Sequence, residues 1–270
     1  MNIDSIKAKL KKVAKDSDKN FLELFKQLTF ERFLARVAIS KYRENLIFKG
    51  GLCLRQYIET GRETKDIDFL AKKLGGELET IKTVFEEISK VDLEDFFEFH
   101  RVDASQLTLE HKKYPGYRIK IDLKFGNMKD RLQIDVGIGD VVDEYEIGLN
   151  LIKYKNEPLL GEGGTSLYVY PPEYIFSEKL HAIIELKTLN SRMKDYFDYY
   201  MLIQSGVLDQ KKTGKAVDRT FKQRDTEFQL IDDYCEDLNP KWKAFINRVS
   251  SAPENIEEVI DQINDYCRSL

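Results

Sequence analysis

The chain has 270 residues, with 43 lysines and arginines against 47 aspartates and glutamates and a net charge of −4. That length allows one large domain or two smaller ones with a substantial core, and the slight acidity excludes a protein that coats nucleic acid through bulk charge. Three widely separated cysteines, Cys53, Cys235 and Cys267, form neither a disulfide framework nor a zinc-binding pattern. No apolar run approaches the roughly 20 residues of a membrane span, and the N-terminal MNIDSIKAKLKKVAKD lacks a signal peptide's apolar segment, so the expected compartment is the reducing cytoplasm.

Residues 1–44 carry apolar positions at a period near 3.6, among them Phe21, Leu24, Phe25, Leu28, Phe33, Leu34 and Val37, and predict helical scaffold. From Asn45 to Tyr57 a short apolar run, the pair Gly50-Gly51 and a helical pattern read as strand, tight turn and helix. Glycines at such a turn let backbone N–H groups approach a phosphate, and the following helix adds the positive end of its dipole. The stretch GRETKDIDFL (61–70) then places Asp66 and Asp68 on one face of a strand, with Ile67 and Phe69 on the other. Two like charges side by side are unfavourable unless something positive lies between them, and a divalent cation is the obvious candidate.

A helix is predicted over Glu77–Lys90, and strand-like sequence over Phe96–Leu109. Strict alternation in Tyr117–Phe125 and Arg131–Gly139, across a turn at Gly126–Asp130, predicts an antiparallel hairpin with one buried face. Its polar face carries Arg118, Lys120, Asp122 and Lys124 on one strand and Gln133, Asp135, Gly137 and Gly139 on the other. Asp135, with Gly137 beside it leaving room for a ligand, is a third carboxylate for the Asp66/Asp68 pair, with Asp122 as competitor.

Pro171-Pro172 is the strongest punctuation in the chain, and the sequence beyond it is almost wholly helical. The boundary expected there divides 1–170 from 171–270. Helices are expected over Glu173 to about Leu189, over Ser191–Gln204, and around 210–232, 240–250 and 254–268. Arg192, Asp195 and Asp198 recur every three residues, the spacing of an ordinary surface ion-pair ladder, with Tyr196, Phe197, Tyr199 and Tyr200 expected to pack against the other lobe. His181 reads as a packing residue. The basic runs Lys112-Lys113 with Arg118 and Lys120, and Lys211-Lys212 with Lys215, Arg219, Lys222 and Arg224, read as solvated faces that an RNA could also contact.

Carboxylates at this spacing suit in-line displacement at phosphorus, where Mg²⁺ or Mn²⁺ offsets developing charge. The ordered set KGG (49–51), R-x-T-x-D-I-D-F (62–69), Q-I-D-V (133–136), P-x-E-x-x-x-x-E-K-L-x-A (171–182) and R-x-K-D-x-x-D (192–198) resembles the AbiEii/AbiGii-type nucleotidyltransferase toxins over roughly residues 35–205. Their joint order is far more specific than any one piece. Such proteins are similar to the polymerase-beta-like nucleotidyltransferases and are associated with bacterial toxin–antitoxin and phage-defence systems.

The resemblance implies an α/β (α+β) fold of two lobes, a mixed sheet with flanking helices plus a C-terminal helical lobe that closes a nucleotide cleft. It makes Asp66 and Asp68 metal ligands and Lys179 a contact to the nucleotide phosphates, while Asp135, by its place on the alternating strand, is the expected third ligand or general base. Asp195 or Asp198 becomes a further active-site acid, and Gly50, Gly51, Arg62 and Arg192 fall to nucleotide binding. It also implies an NTP as substrate, an RNA such as tRNA as acceptor and a cognate antitoxin as partner. One departure stands out: the family usually has Thr or Ser directly after the glycine pair, where this chain has Leu52. The rival readings are a metal-dependent nuclease built on Asp122-Leu123-Lys124 and an inactive family member serving as an interaction module.

Overall fold

The structure is a computed structural model that describes residues 2–107, 116–161, 166–187, 192–231, 235–247, 249 and 252–270. Lys112, Lys113 and the expected helix ends at Leu189 and Ser191 lie outside the described residues. The chain divides into two compact units: 1–52, 65–139 and 144–169 form the first, and 53–64, 140–143 and 170–270 the second.

The first unit opens with α1 (Ile3–Asp16) and α2 (Phe21–Ile39), separated where Asn20 caps α2 by accepting the Leu22 N–H at 2.8 Å. Helix α2 is buried on nearly all sides from Leu24 to Ala38, so even its arginines lie inside. Arg32 and Arg36, one helical turn apart, both close on Asp95: Arg32 Nε donates to Oδ2 at 2.8 Å and Arg36 Nη2 to Oδ1 at 2.8 Å. A buried charge is tolerable only with such partners, and the network ties α2 to the chain entering the sheet.

Strand β1 (Leu46–Lys49) leads into α3 (Gly50–Leu54), a single turn where the division between units falls. β2 (Ile67–Ala71), α4 (Leu78–Ser89), β3 (Phe97–Leu107), β4 (Gly116–Phe125) and β5 (Met128–Ile138) follow. The hairpin between β4 and β5 turns on Gly126-Asn127 alone, with Phe125 opposite Met128; the five-residue turn expected from the sequence is shortened to two. Gly126 takes φ +59°, the positive value a two-residue hairpin loop asks of its first central residue. β6 (Tyr145–Gly148), the short pair β7 (Lys153–Tyr154) and β8 (Glu157–Pro158), and β9 (Ser166–Val169) complete the unit.

Seven of these strands form one mixed sheet in the order β3-β4-β5-β2-β1-β9-β6. β2 is antiparallel to β1 and parallel to β5. Fully buried Phe48 and Phe69 meet at 5.9 Å between ring centroids, and Phe69 meets Phe85 of α4 at 6.3 Å, which marks the face covered by helices. Residues of β1, β2, β4 and β5 that alternate with this face carry the polar row described below.

The second unit is helical: α5 (Pro172–Leu186), α6 (Met193–Ser205), α7 (Gln210–Gln223), α8 (Cys235–Ile246) and α9 (Ile256–Arg268). Pro172 occupies the first turn of α5, where its missing N–H costs nothing. The aromatic run on α6 finds its partners inside this unit, Phe197 against Phe245 and Tyr199 against Phe176, whose carbonyl accepts the Tyr199 hydroxyl. No helix among the described residues is long and apolar enough to cross a membrane.

Candidate active site

Strand pairing decides where the first group of acids goes. Asp68 on β2 lies directly opposite Asp135 on β5, and Asp135 directly opposite Arg118 on β4. Lys49 on β1 is opposite Asp68 from the other side. Cross-strand partners share a face, so Lys49, Asp68, Asp135 and Arg118 form one row across four strands, cation, acid, acid, cation. Asp66 stands one residue before β2, on the same face by alternation, and is partly exposed, as is Asp68. Ile67 and Phe69 are fully buried on the opposite face, as their spacing required.

The positive charge that the acid pair needs is already present as a side chain. Arg118 grips Asp135 with both prongs, Nε to Oδ1 at 2.8 Å and Nη2 to Oδ2 at 2.7 Å. Those hydrogen bonds push the Arg118 guanidinium further into its charged form, against the pull of burial, and the charges of Asp135, Asp66 and Asp68 add to it. Alternation alone put Arg118 on a solvated basic face; its role as counter-cation needed the hairpin register.

Gly50 is where backbone freedom matters. Its φ is +75°, and a Cβ there would lie 1.9 Å from Asp68 Oδ2, so only glycine lets the end of β1 run this close to the carboxylate. Gly51 follows in α3, and Leu52, in place of a hydroxyl residue, is turned into the interior with 6% exposure. At Gly137 an added Cβ would meet nothing nearer than the Phe69 carbonyl at 3.9 Å, so the space beside Asp135 is open. Asp122 belongs elsewhere: it pairs with Arg131 at 3.1 Å, four residues along β4 from Arg118 and therefore about 14 Å away at about 3.4 Å per residue. At that distance Asp122 stands outside the row that Asp68 and Asp135 form.

The second group lies in the helical unit. Arg62 binds Asp198 through two bonds of 2.6 Å, from Nε to Oδ1 and from Nη2 to Oδ2. Lys179 on α5 reaches Asp195 at 2.5 Å and Asp198 at 2.8 Å on α6. The three-residue spacing on α6 therefore presents a buried pair of acids and no surface ladder: Asp198 is fully buried and Asp195 nearly so. Burial opposes charge on Lys179, but Asp198 and Asp195 outweigh it and hold the ammonium above the ordinary lysine range. Burial likewise disfavours the Asp198 carboxylate, yet Lys179 and Arg62 hold it below the usual range. Two cations and two anions thus balance. Arg192 begins α6, exposed, with its carbonyl accepting the Asp195 N–H at 2.8 Å.

His181, buried on α5, contacts Thr226 Oγ1 through Nε2 at 3.1 Å and stacks edge-on to Phe221, in keeping with a packing role. On α7, Lys211, Lys212, Lys215 and Lys222 are exposed, whereas Arg224 is drawn to Asp140 at 3.3 Å and Glu178 at 3.4 Å.

The donor set on the sheet suits a hard divalent cation, since every candidate ligand is a carboxylate oxygen and two stand side by side. Asp66 and Asp68 fit that use. Asp135 has both oxygens engaged by Arg118, and among the described residues no group of three or more acidic, histidine or cysteine side chains is gathered as a metal site.

A mixed seven-stranded sheet with an acid row is thus followed in the chain by a helical unit. Two crystal structures from Helicobacter pylori share the fold. One, provisionally assigned as a nucleotidyltransferase, aligns over 92% of this chain and 93% of its own with a TM-score of 0.50 and 13% identity. The other, JHP933, aligns over 92% and 90% with a TM-score of 0.51 and 12% identity. No curated protein sequence matches significantly. The family profile described as nucleotidyl transferase AbiEii toxin, type IV toxin–antitoxin system, matches residues 32–263, and the chain belongs to that family of nucleotidyltransferases.

Proposed function

We propose that the protein is a Mg²⁺-dependent toxin that transfers a nucleotidyl group from an NTP to a hydroxyl of an RNA such as tRNA, held in check by a cognate antitoxin in the bacterial cytoplasm. The observation that carries the reading is the register of Asp68 against Asp135 on parallel strands, with Asp66 two residues back and Gly50 pressed on Asp68, in a chain of this family. Asp66 and Asp68 would hold the cation, with Asp135 beside them. A divalent ion bound there would offset charge that develops on the phosphoryl oxygens. Lys179 uses two of its three N–H donors on Asp195 and Asp198 and keeps its charge at any physiological pH, so it can meet a phosphate oxygen without leaving either acid. The Arg62 fork on Asp198 fixes that acid from the other side.

The test is incubation of the purified protein with each α-labelled NTP, Mg²⁺ and total RNA. Label should pass to RNA from at least one NTP, and Asp66→Asn with Asp68→Asn should abolish transfer while the protein stays folded. RNA shortened without NTP, or transfer that survives the double substitution, would overturn the assignment.

A further inference from the structure

Arg118 has no part in the reaction as read so far, yet it stands where a cation for the acid row would be needed. We propose that Arg118 is a built-in competitor of the divalent cation: its guanidinium holds both oxygens of Asp135, and the metal gains this third carboxylate only when that fork opens. The inference rests on the nucleotidyl-transfer reading of the same acids.

Three features of the geometry support it. First, the pairing is fixed by the backbone, because the two-residue turn at Gly126-Asn127 sets Arg118 opposite Asp135 and no other register of the hairpin does so. Second, the fork is complete, at 2.8 and 2.7 Å, so each oxygen of the carboxylate beside the Asp66/Asp68 pair already accepts a charged N–H, and a cation approaching it meets the guanidinium. Third, the pair is open to water, Arg118 at 35% and Asp135 at 21% side-chain exposure, so the guanidinium can be rehydrated when it lets go. A buried fork such as Arg62 on Asp198 could not exchange in this way, with exposures of 8% and 0%. An ion pair of purely structural purpose would be indifferent to metal; a competitor is not.

The experiment titrates Mn²⁺ alone into the full-length protein and reads bound ion by electron paramagnetic resonance. Arg118→Gln should tighten Mn²⁺ binding about three- to tenfold, the scale of a part-exposed ion pair, where each tenfold is about 1.4 kcal/mol. Arg118→Lys keeps the charge without the fork and should fall between, which also covers the case in which the glutamine variant does not fold. In an Asp135→Asn background Arg118→Gln should tighten Mn²⁺ binding much less, because only the longer-range charge of Arg118 on Asp66 and Asp68 remains to be removed; an undiminished effect overturns the fork as its cause. Equal or weaker Mn²⁺ affinity in the Arg118 variants overturns the proposal. If affinity is unmoved by Arg118 but falls with Asp68→Asn, this inference alone fails and the metal reading stands. Mn²⁺ binding that is absent, or insensitive to Asp68→Asn, removes both.

Discussion

Glu31 on α2 offers a prediction whose size can be worked from the structure. The residue is 7% exposed; Oε2 accepts the Ile152 N–H at 2.7 Å, and Oε1 has no hydrogen-bond partner among the described residues. Burial raises its pKa from 4.5 to about 7, more than the Ile152 N–H and the nearby Arg32 can lower it. Below pH 4.5 the group is protonated in both states and has no effect on the pH dependence. Between about 4.5 and 7 the unfolded chain releases the proton while the folded one keeps it, so stability falls as pH rises. Above about 7 the loss is complete. At 1.36 kcal/mol per pKa unit the group therefore costs the first unit about 3 kcal/mol between its protonated and ionised limits. Glu31→Gln retains an acceptor for Ile152 and should remove most of that slope. Amide hydrogen exchange along α2 at pH 5 and pH 8 would measure it directly, because the single tryptophan, Trp242, lies in the other unit. Parallel pH profiles for the wild type and Glu31→Gln would refute the reasoning.

Lys179→Met leaves Asp195 and Asp198 buried with Arg62 as their remaining cation, so it should lower stability by about 3 kcal/mol as well as abolish transfer. Adding Asp195→Asn should recover part of the stability but none of the activity, measured by thermal melts beside transfer assays; recovery of both would make Lys179 purely structural. Replacing exposed Lys211, Lys212 and Lys215 on α7 by Glu should weaken RNA binding and flatten its log–log salt dependence by roughly 2 to 3 units, at about 0.7–0.9 per lost phosphate contact. An unchanged salt slope in a binding titration would leave those lysines as a solvated face.

Much of the architecture is legible in the sequence because alternation and helical period are local properties. Asp68, Ile67 and Phe69 fall on the faces that the period of two assigns, and α4 spans Leu78–Ser89 where Glu77–Lys90 was expected. What stays hidden depends on register and on burial, neither of which is local. A hairpin turning on Gly126–Asp130 would set Phe125 against Arg131 and Asp135 against Ile121; the two-residue turn sets Asp135 against Arg118 instead. Likewise, spacing on α6 could not tell a solvated ladder from a buried one. The partners that decide it, Lys179 and Arg62, are 16 and 136 residues away from Asp195 and Asp198 respectively. The Arg32–Arg36–Asp95 network was invisible for the same reason, since a charged residue inside an apolar helix pattern shows no sign of the acid that meets it.

Both acid groups carry their own counter-cations, but solvent decides what those cations can do. Around Asp198 two positive and two negative charges balance where water is nearly excluded, so removing any one leaves a buried charge uncompensated at a cost of about 3–5 kcal/mol. That cluster is fixed, and a ligand can add to it through the third N–H of Lys179 but cannot rearrange it. On the sheet, the Arg118–Asp135 pair is part-exposed, and such pairs contribute at most about 1 kcal/mol. A ligand that binds the open state about tenfold more tightly than the closed one gains about 1.4 kcal/mol from opening, enough to open the fork. On the proposed reading, exchange of partners on nucleotide or metal binding would therefore fall to the row Lys49, Asp68, Asp135 and Arg118, while the helical acids hold Lys179 in one place and hold its charge.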